Sequence, residues 1–351
     1  MASVVLITGV SHYLGGRLAA RLSSDSDVDR VIGIDTIPPR PEDRARLGRT
    51  EFVRADIRNP LIAKVIAQAR VDTVVHTAPS AGLHAPQALL PDQHVTGTMQ
   101  LLAACQTSEW IARVVVASTT AVYGSSARDP AAFTEAMQPA SRTAQAYARQ
   151  AIEVENYTRG FARRRPDIGA TVLRLATMIG PTIQTALTRY LSMPIVPTPL
   201  GFDPRLQLLH EDDACEVLRR ATLEHHPGVY NVAGDGVMPL SQVLRWAGRI
   251  RLAVPAAAIS VIGGLAGNSG VIDFSAEQAS FLRFGRVVDT ARLRTEFGFA
   301  PRYSTTDAVR SYLAGRAGRP RLGVAAVVGA EHLVEDRVRR FALGHADSEV
   351  H

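Results

Sequence analysis

Nine residues near the start of the chain, Thr8-Gly9-Val10-Ser11-His12-Tyr13-Leu14-Gly15-Gly16, have the types and spacing to grip a pyrophosphate. They follow the apolar run Val4-Val5-Leu6-Ile7 and open a helical pattern, the context that makes such a glycine pattern specific for a dinucleotide. Gly9 permits the tight turn, and Gly15 permits close packing of helix on strand. The helix N-terminus offers unpaired N–H groups and the positive end of its dipole to the phosphates. Asp35 closes a second apolar run, Val31-Ile32-Gly33-Ile34, twenty residues after Gly15. A carboxylate there accepts hydrogen bonds from both adenosine ribose hydroxyls and repels a 2′-phosphate. NAD is thus favoured over NADP, a preference that Arg40 softens. His12 departs from the fingerprint, because a glycine normally lets the backbone approach the pyrophosphate at this position. A histidine swings its ring outward, displaces the phosphates or donates to them, and the sequence leaves these three outcomes open.

The elements that must position these groups follow from the apolar rhythm. Strands are predicted near residues 3–8, 30–35, 51–54, 72–77, 112–118 and 169–175. Helical patterns fill the gaps at Gly15 to Leu22, Pro60 to Gln68, Thr96 to Thr107 and Ala144 to Arg163. This alternation predicts an α/β fold, a Rossmann-type doubly wound parallel sheet whose strand ends converge on one crevice. After Gly180-Pro181 the rhythm shortens and prolines cluster at 194, 197, 199 and 204, which predicts a smaller interleaved C-terminal substrate lobe. The expected organisation is a dinucleotide-binding domain over 1–180 completed by a strand near 229–233, a mainly substrate lobe over 181–315, and an extension over 316–351. The extension carries one amphipathic helical pattern from Glu331 to Leu343.

Composition narrows the class. The 351 residues are 46% hydrophobic and 21% charged, ordinary for a globular protein. The net charge is +6, but the arginines that carry it are spread along the chain among acids, so no nucleic-acid footprint is expected. The run 252–267 is broken by Pro255, Gly263, Gly264 and Gly267 and falls short of the ~20 apolar residues of a membrane span, so no stable insertion is expected. A strand pattern begins almost at Met1 with no basic or long apolar stretch before it, which points to the cytoplasm. Cys105 and Cys215 sit in helical apolar patterns and read as buried free thiols, and no metal site is expected. Lys64 is the only lysine in the chain.

Further motifs stand in a fixed order: Ala55-Asp56-Ile57, Val75-His76-Thr77-Ala78, Ser118-Thr119-Thr120-Ala121-Val122-Tyr123-Gly124, Leu173-Arg174-Leu175, Leu209-His210-Glu211-Asp212-Asp213 and Gly298-Phe299-Ala300-Pro301. With the fingerprint they make the chain, over roughly residues 3–315, resemble the extended short-chain dehydrogenases/reductases. More narrowly, it is similar to the NAD-dependent epimerase/dehydratase group that includes UDP-galactose 4-epimerase. The resemblance implies NAD held by Gly9, Ser11, His12, Tyr13, Leu14, Gly15, Asp35, Asp56, Ile57, Thr77 and Ala78, with Asp56 on the adenine. It implies that Thr119 hydrogen-bonds the reacting hydroxyl of a small-molecule substrate such as a nucleotide sugar. Tyr147 would be the acid/base that moves a proton as hydride passes to or from the nicotinamide. It also implies pairing as a homodimer through the helices 96–107 and 144–163.

The chain departs from the group where ligand is touched. A phenol with a pKa near 10 is a poor base at neutral pH without a fixed cation. The group places a lysine four residues after the tyrosine, on the same helical face; here that residue is Ala151. Lys64 lies in a helix of the cofactor half, and Arg149, about 200° around the helix from Tyr147, faces elsewhere. An arginine reaching in from the second lobe would be a different kind of group. His94 and Thr177 stand where the group has asparagines, and Arg205 is one position earlier than expected relative to His210. His210 and Asp213 read as residues that fix the fold. Three functions stay open: an NAD-dependent epimerase, dehydratase or alcohol oxidoreductase with an atypical proton relay, a non-catalytic NAD- or metabolite-binding member acting as a sensor or partner protein, and a structural partner that binds no small molecule.

Overall fold

The computed structural model describes residues 3–77, 91–140, 146–255 and 276–316. Ala78, the side chain of His94, the segment 256–275 and the helical pattern from Glu331 to Leu343 lie outside the described residues.

Short β-branched runs supply the strands: β1 (Val4–Thr8), β2 (Arg30–Asp35), β3 (Glu51–Arg54), β4 (Thr73–Thr77), β5 (Arg113–Thr119) and β6 (Gly169–Leu175). They join the strand Gly228–Val232 in one seven-stranded sheet. From one edge the order is Gly228–Val232, β6, β5, β4, β1, β2, β3, every pairing parallel. The direction of winding reverses between β1 and β4. In open α/β sheets ligands bind beyond the strand ends at that point.

Both faces of the sheet are buried, so the strands are apolar throughout but split their residues between two cores. Val5, Ile7, Val75, Val115 and Leu173 point to one face, where Leu14 and Leu18 of α1 (Tyr13–Ser23) and Leu218 of the helix Glu211–Leu223 pack. Leu6, Val74, Val114, Val116 and Val172 point to the other. There they meet Ile62 and Ile66 of α3 (Leu61–Ala69) and Leu101 and Cys105 of α4 (Pro91–Thr107). The short helix α2 (Pro41–Arg46) precedes β3, and α5 (Ala146–Arg164) packs against α4, β5 and β6. A third core, with Leu187, Tyr190, Leu206, Met238, Leu244, Phe281 and Tyr312, belongs to the later part of the chain.

Candidate active site

The fingerprint folds as a turn and a helix start. Gly9 has φ +79°, a left-handed conformation that L side chains rarely adopt, and a Cβ there would stand 2.7 Å from Thr77 Oγ1. At Gly15 a Cβ would stand 2.3 Å from the Gly9 carbonyl oxygen. Thr77, buried at the end of β4, donates its hydroxyl to the Thr8 carbonyl and so fills the space beneath both glycines. His12 is the N-cap of α1 but makes no side-chain capping hydrogen bond. The first-turn N–H groups, which have no partner inside a helix, are thus left without a side-chain cap for an anion to displace.

Asp35, buried at the end of β2, accepts from the backbone N–H groups of Ser11 (3.1 Å), Thr36 (2.8 Å) and Ile37 (3.3 Å). The Ser11 hydroxyl donates to the Ile37 carbonyl, closing the fingerprint onto the β2 end. The His12 ring is half-buried, with Nε2 4.0 Å from Asp35 Oδ2, and its Cδ2 lies 3.8 Å from where a Cβ on Gly9 would sit. The imidazole therefore spans from Gly9 to Asp35.

The other residues singled out in the sequence have distinct surroundings. The Leu14 side chain is in the core, so its backbone N–H is the group it can offer a ligand. The Tyr13 phenol turns toward the second lobe, 2.7 Å from Thr182 Oγ1, and its pKa is pushed up, chiefly by burial. The Asp56 carboxylate pairs with Arg58, which holds it below the usual carboxylate range. Ile57 packs on α4, where a Cβ on Gly97 would stand 2.8 Å from its Cδ1.

Thr119 ends β5 and caps the 3₁₀ turn Thr120–Tyr123, its Oγ1 accepting from the Ala121 N–H at 3.2 Å. Its hydroxyl proton remains available to donate. Tyr147 opens α5, half-buried, and packs with Ala151 against the same core as Ala121 and Ala148. Since α5 packs on the 3₁₀ turn, the helix that carries Tyr147 and the turn that Thr119 caps form one unit. Arg149 is exposed on the opposite side of α5, and Lys64 is exposed on α3.

Three groupings join residues, several of them from the quoted motifs, in pairings that spacing alone does not give. Behind Thr119, Arg174 and Glu155 form an ion pair at 2.6 Å, each side chain 2% exposed. Ser118 donates to Glu155 (2.6 Å) and Arg174 donates to Tyr123 Oη (2.6 Å), which ties α5 to β5 and β6. Buried His76 bridges Thr8 Oγ1 (2.7 Å) and Thr98 Oγ1 (2.9 Å), linking β1, β4 and α4 beneath the crevice. Glu211 accepts from the Ile183 N–H (2.7 Å) and the Thr182 hydroxyl (2.8 Å) and pairs with Arg17 of α1 at 3.1 Å. This fastens the loop after Gly180 to the fingerprint helix. His210 and Asp213 also fix the fold. His210 caps the helix Glu211–Leu223 and stacks on Tyr303, and Asp213 accepts from the Arg302 and Tyr303 N–H groups.

The family model for the NAD dependent epimerase/dehydratase family matches residues 5–233, which take in the sheet, the fingerprint, Thr119 and Tyr147. The chain belongs to this family. Among curated proteins, an uncharacterized protein of Mycobacterium tuberculosis is 46% identical over 321 residues, 90% of this chain and 85% of that protein. One of Mycobacterium bovis matches to the same extent. The fold is that of solved epimerases and dehydratases. The dTDP-glucose 4,6-dehydratase of Bacillus anthracis, in complex with NAD, superposes with a TM-score of 0.70 at 18% identity, over 91% of this chain and 97% of that one. The UDP-glucose 4-epimerase of Thermotoga maritima, with UDP-glucose, gives 0.68 at 16% identity over 89% and 98%. In this chain Ala151 stands one helical turn beyond Tyr147. Among the described residues, no group of three or more His, Cys, Asp or Glu is placed to hold a metal ion. No described helix is long and apolar enough to cross a membrane.

Proposed function

We propose that this protein binds NAD and carries out epimerase- or dehydratase-type oxidoreduction at an alcohol of a nucleotide-sugar substrate, with Tyr147 as acid/base. The observation that carries the reading is the placement of Tyr147. It is half-buried in the first turn of α5, against the turn that Thr119 caps and on the same core as the fingerprint helix. The family match and the nucleotide-sugar ligands of the solved relatives support the substrate class.

The residues present fit the cofactor. The uncapped N-terminus of α1 suits a pyrophosphate, and Asp35, already fixed by three backbone donors, suits the adenosine ribose. The His12 ring turns away from Asp35 to admit that ribose. NAD, when bound, supplies the hydride acceptor. Thr119 Oγ1 then orients the substrate hydroxyl, and Tyr147 Oη takes its proton and later returns it. At neutral pH a phenol with a pKa near 10 is ionised in roughly one molecule in a thousand, a deficit of about 4 kcal/mol. Ala151 has no charge with which to reduce it.

A second reading, a family member that binds NAD or a metabolite as a sensor without turnover, is favoured by the His12 ring over the fingerprint and by Ala151. One experiment separates the two. Purified protein is denatured and released NAD is measured, and NAD-loaded protein is then assayed on UDP-glucose, UDP-glucuronic acid and dTDP-glucose. Turnover that Tyr147→Phe abolishes while NAD binding persists establishes the enzyme. NAD binding with no turnover on the panel favours the sensor, and turnover unaffected by Tyr147→Phe removes the role given to that residue.

A further inference from the structure

The charge that Ala151 cannot provide has a source elsewhere in the fold. Arg286 lies in the two-residue strand Gly285–Arg286, which pairs in parallel with Arg205–Leu206. The strand enters through Gly285, whose φ is +71° and where a Cβ would stand 2.2 Å from the Arg205 carbonyl oxygen. A larger residue there is excluded, so the backbone aims the next side chain inward. Arg286 is buried, and its guanidinium reaches the 3₁₀ turn after β5. Nε donates to the Gly124 carbonyl at 2.7 Å and Nη2 donates to Ser125 Oγ at 3.1 Å.

Gly124 closes the 3₁₀ turn that Thr119 opens, the same turn against which the first turns of α5 pack. The segment that follows Arg286 is fixed as well. Phe133 exchanges backbone hydrogen bonds of 2.9 Å and 2.8 Å with Val287 and Asp289, and Val288 donates to Gln207 Oε1 at 2.7 Å. Phe133 in turn stacks on Tyr123 of the 3₁₀ turn at 4.7 Å. The guanidinium is therefore fixed at the end of the turn on which α5 packs, and Tyr147, in the first turn of α5, packs on the core that this turn shares; the charges that act on the guanidinium are those of Glu277, Asp129 and Tyr147.

We propose that Arg286 is the fixed cation of this active site, favouring the phenolate of Tyr147 in place of the lysine that Ala151 replaces. It acts through Tyr147 and is a positioning residue. Two of its five donors hold the turn and three remain for the phenolate or a ligand beside it. Burial pulls the guanidinium down to about 10, and it stays protonated at neutral pH. In surroundings poorer in water than the surface, its field on the phenol is screened less than that of an exposed lysine. The substitution at 151 is thus a relocation of charge from the helix of the tyrosine to a strand of the second lobe.

This assignment rests on the role proposed for Tyr147, but its test needs no substrate, so a failure of turnover and a failure of the assignment are distinguishable. The full chain is labelled with 13Cζ-tyrosine, the Tyr147 resonance is assigned with Tyr147→Phe, and its midpoint is followed by NMR from neutral to high pH. The expected midpoint lies about one pH unit or more below the ordinary phenol value near 10 and rises by about one unit in Arg286→Met. The phenolate fraction at neutral pH then falls about tenfold. A wild-type midpoint at or above about 10 overturns the assignment, as does a folded Arg286→Met protein with an unchanged midpoint. If that variant does not fold, Arg286→Gln, which keeps side-chain donors but no charge, replaces it. A midpoint raised by about half a unit or more supports the assignment, and an unmoved one overturns it.

Discussion

The His12 imidazole stands 4.0 Å from the Asp35 carboxylate, Nε2 to Oδ2, across the mouth of the glycine fingerprint. In the NAD complex proposed above, the ring and the adenosine ribose approach the same carboxylate. The sequence leaves open an outward ring, displaced phosphates or a donor to them; the structure places the ring beside Asp35.

His12→Gly removes that competition. Glycine is an acceptable N-cap, so α1 loses at most a few tenths of a kcal/mol. The expected outcome is tighter NAD binding, by about tenfold or ~1.4 kcal/mol, measured by calorimetry. Unchanged affinity would remove the competition, and weaker affinity would show instead that the imidazole donates to the phosphates.

The buried pair behind Thr119 carries a second expectation. Glu155→Ala leaves the Arg174 guanidinium buried with Tyr123 as its remaining side-chain partner, and such losses cost about 3–5 kcal/mol. Urea denaturation should show a loss of this size. The apolar double replacement Glu155→Leu with Arg174→Met should recover part of it, because no charge is then left unpaired. A single variant as stable as wild type would remove the pair from the list of what holds α5.

His210 makes stability fall with acid. Burial holds its imidazole below the ordinary value, outweighing the neighbouring Asp212, Glu211 and Asp213, and its Nδ1 accepts from the Asp212 N–H at 3.1 Å. A folded value below the unfolded one means that the contribution is present above about 6.5 and is lost as pH falls through the folded value. Urea midpoints at pH 7.5 and 5.5 should differ, and His210→Asn, which caps without titrating, should narrow the difference. An equal difference in the variant would assign the acid sensitivity to other groups.

Both cysteines are buried, and burial pushes the Cys105 thiol up to about 12 and the Cys215 thiol to about 11. A thiol-specific disulfide reagent at neutral pH should therefore label neither in the native protein and both after denaturation. Rapid native labelling would indicate local opening of α4 or of the helix Glu211–Leu223.

The sheet was legible because its strands are nearly continuous apolar runs between helical patterns, and the six predicted strands of the first half fall within one residue of those observed. Gly9, Gly15 and Asp35 could be placed from spacing because each answers a local demand of a turn or a strand end. The family likeness named Thr119 and Tyr147. Spacing could not orient side chains, however. Nothing in Tyr13-Leu14 says that one side chain meets Thr182 and the other enters the core. Arg286 was beyond reach for a different reason: it is one arginine among many, on a two-residue strand, and Gln207, Phe133 and Gly285 jointly aim it. Such placement is a property of tertiary packing, which no periodicity records.

Lys64 stands exposed on α3, on the cofactor half and away from Tyr147. As the sole lysine it gives amine-directed chemistry a single side-chain address, the terminal amine aside. A fluorophore or tether can be attached there at defined stoichiometry without engineered cysteines, while the arginines remain chemically silent to the reagent.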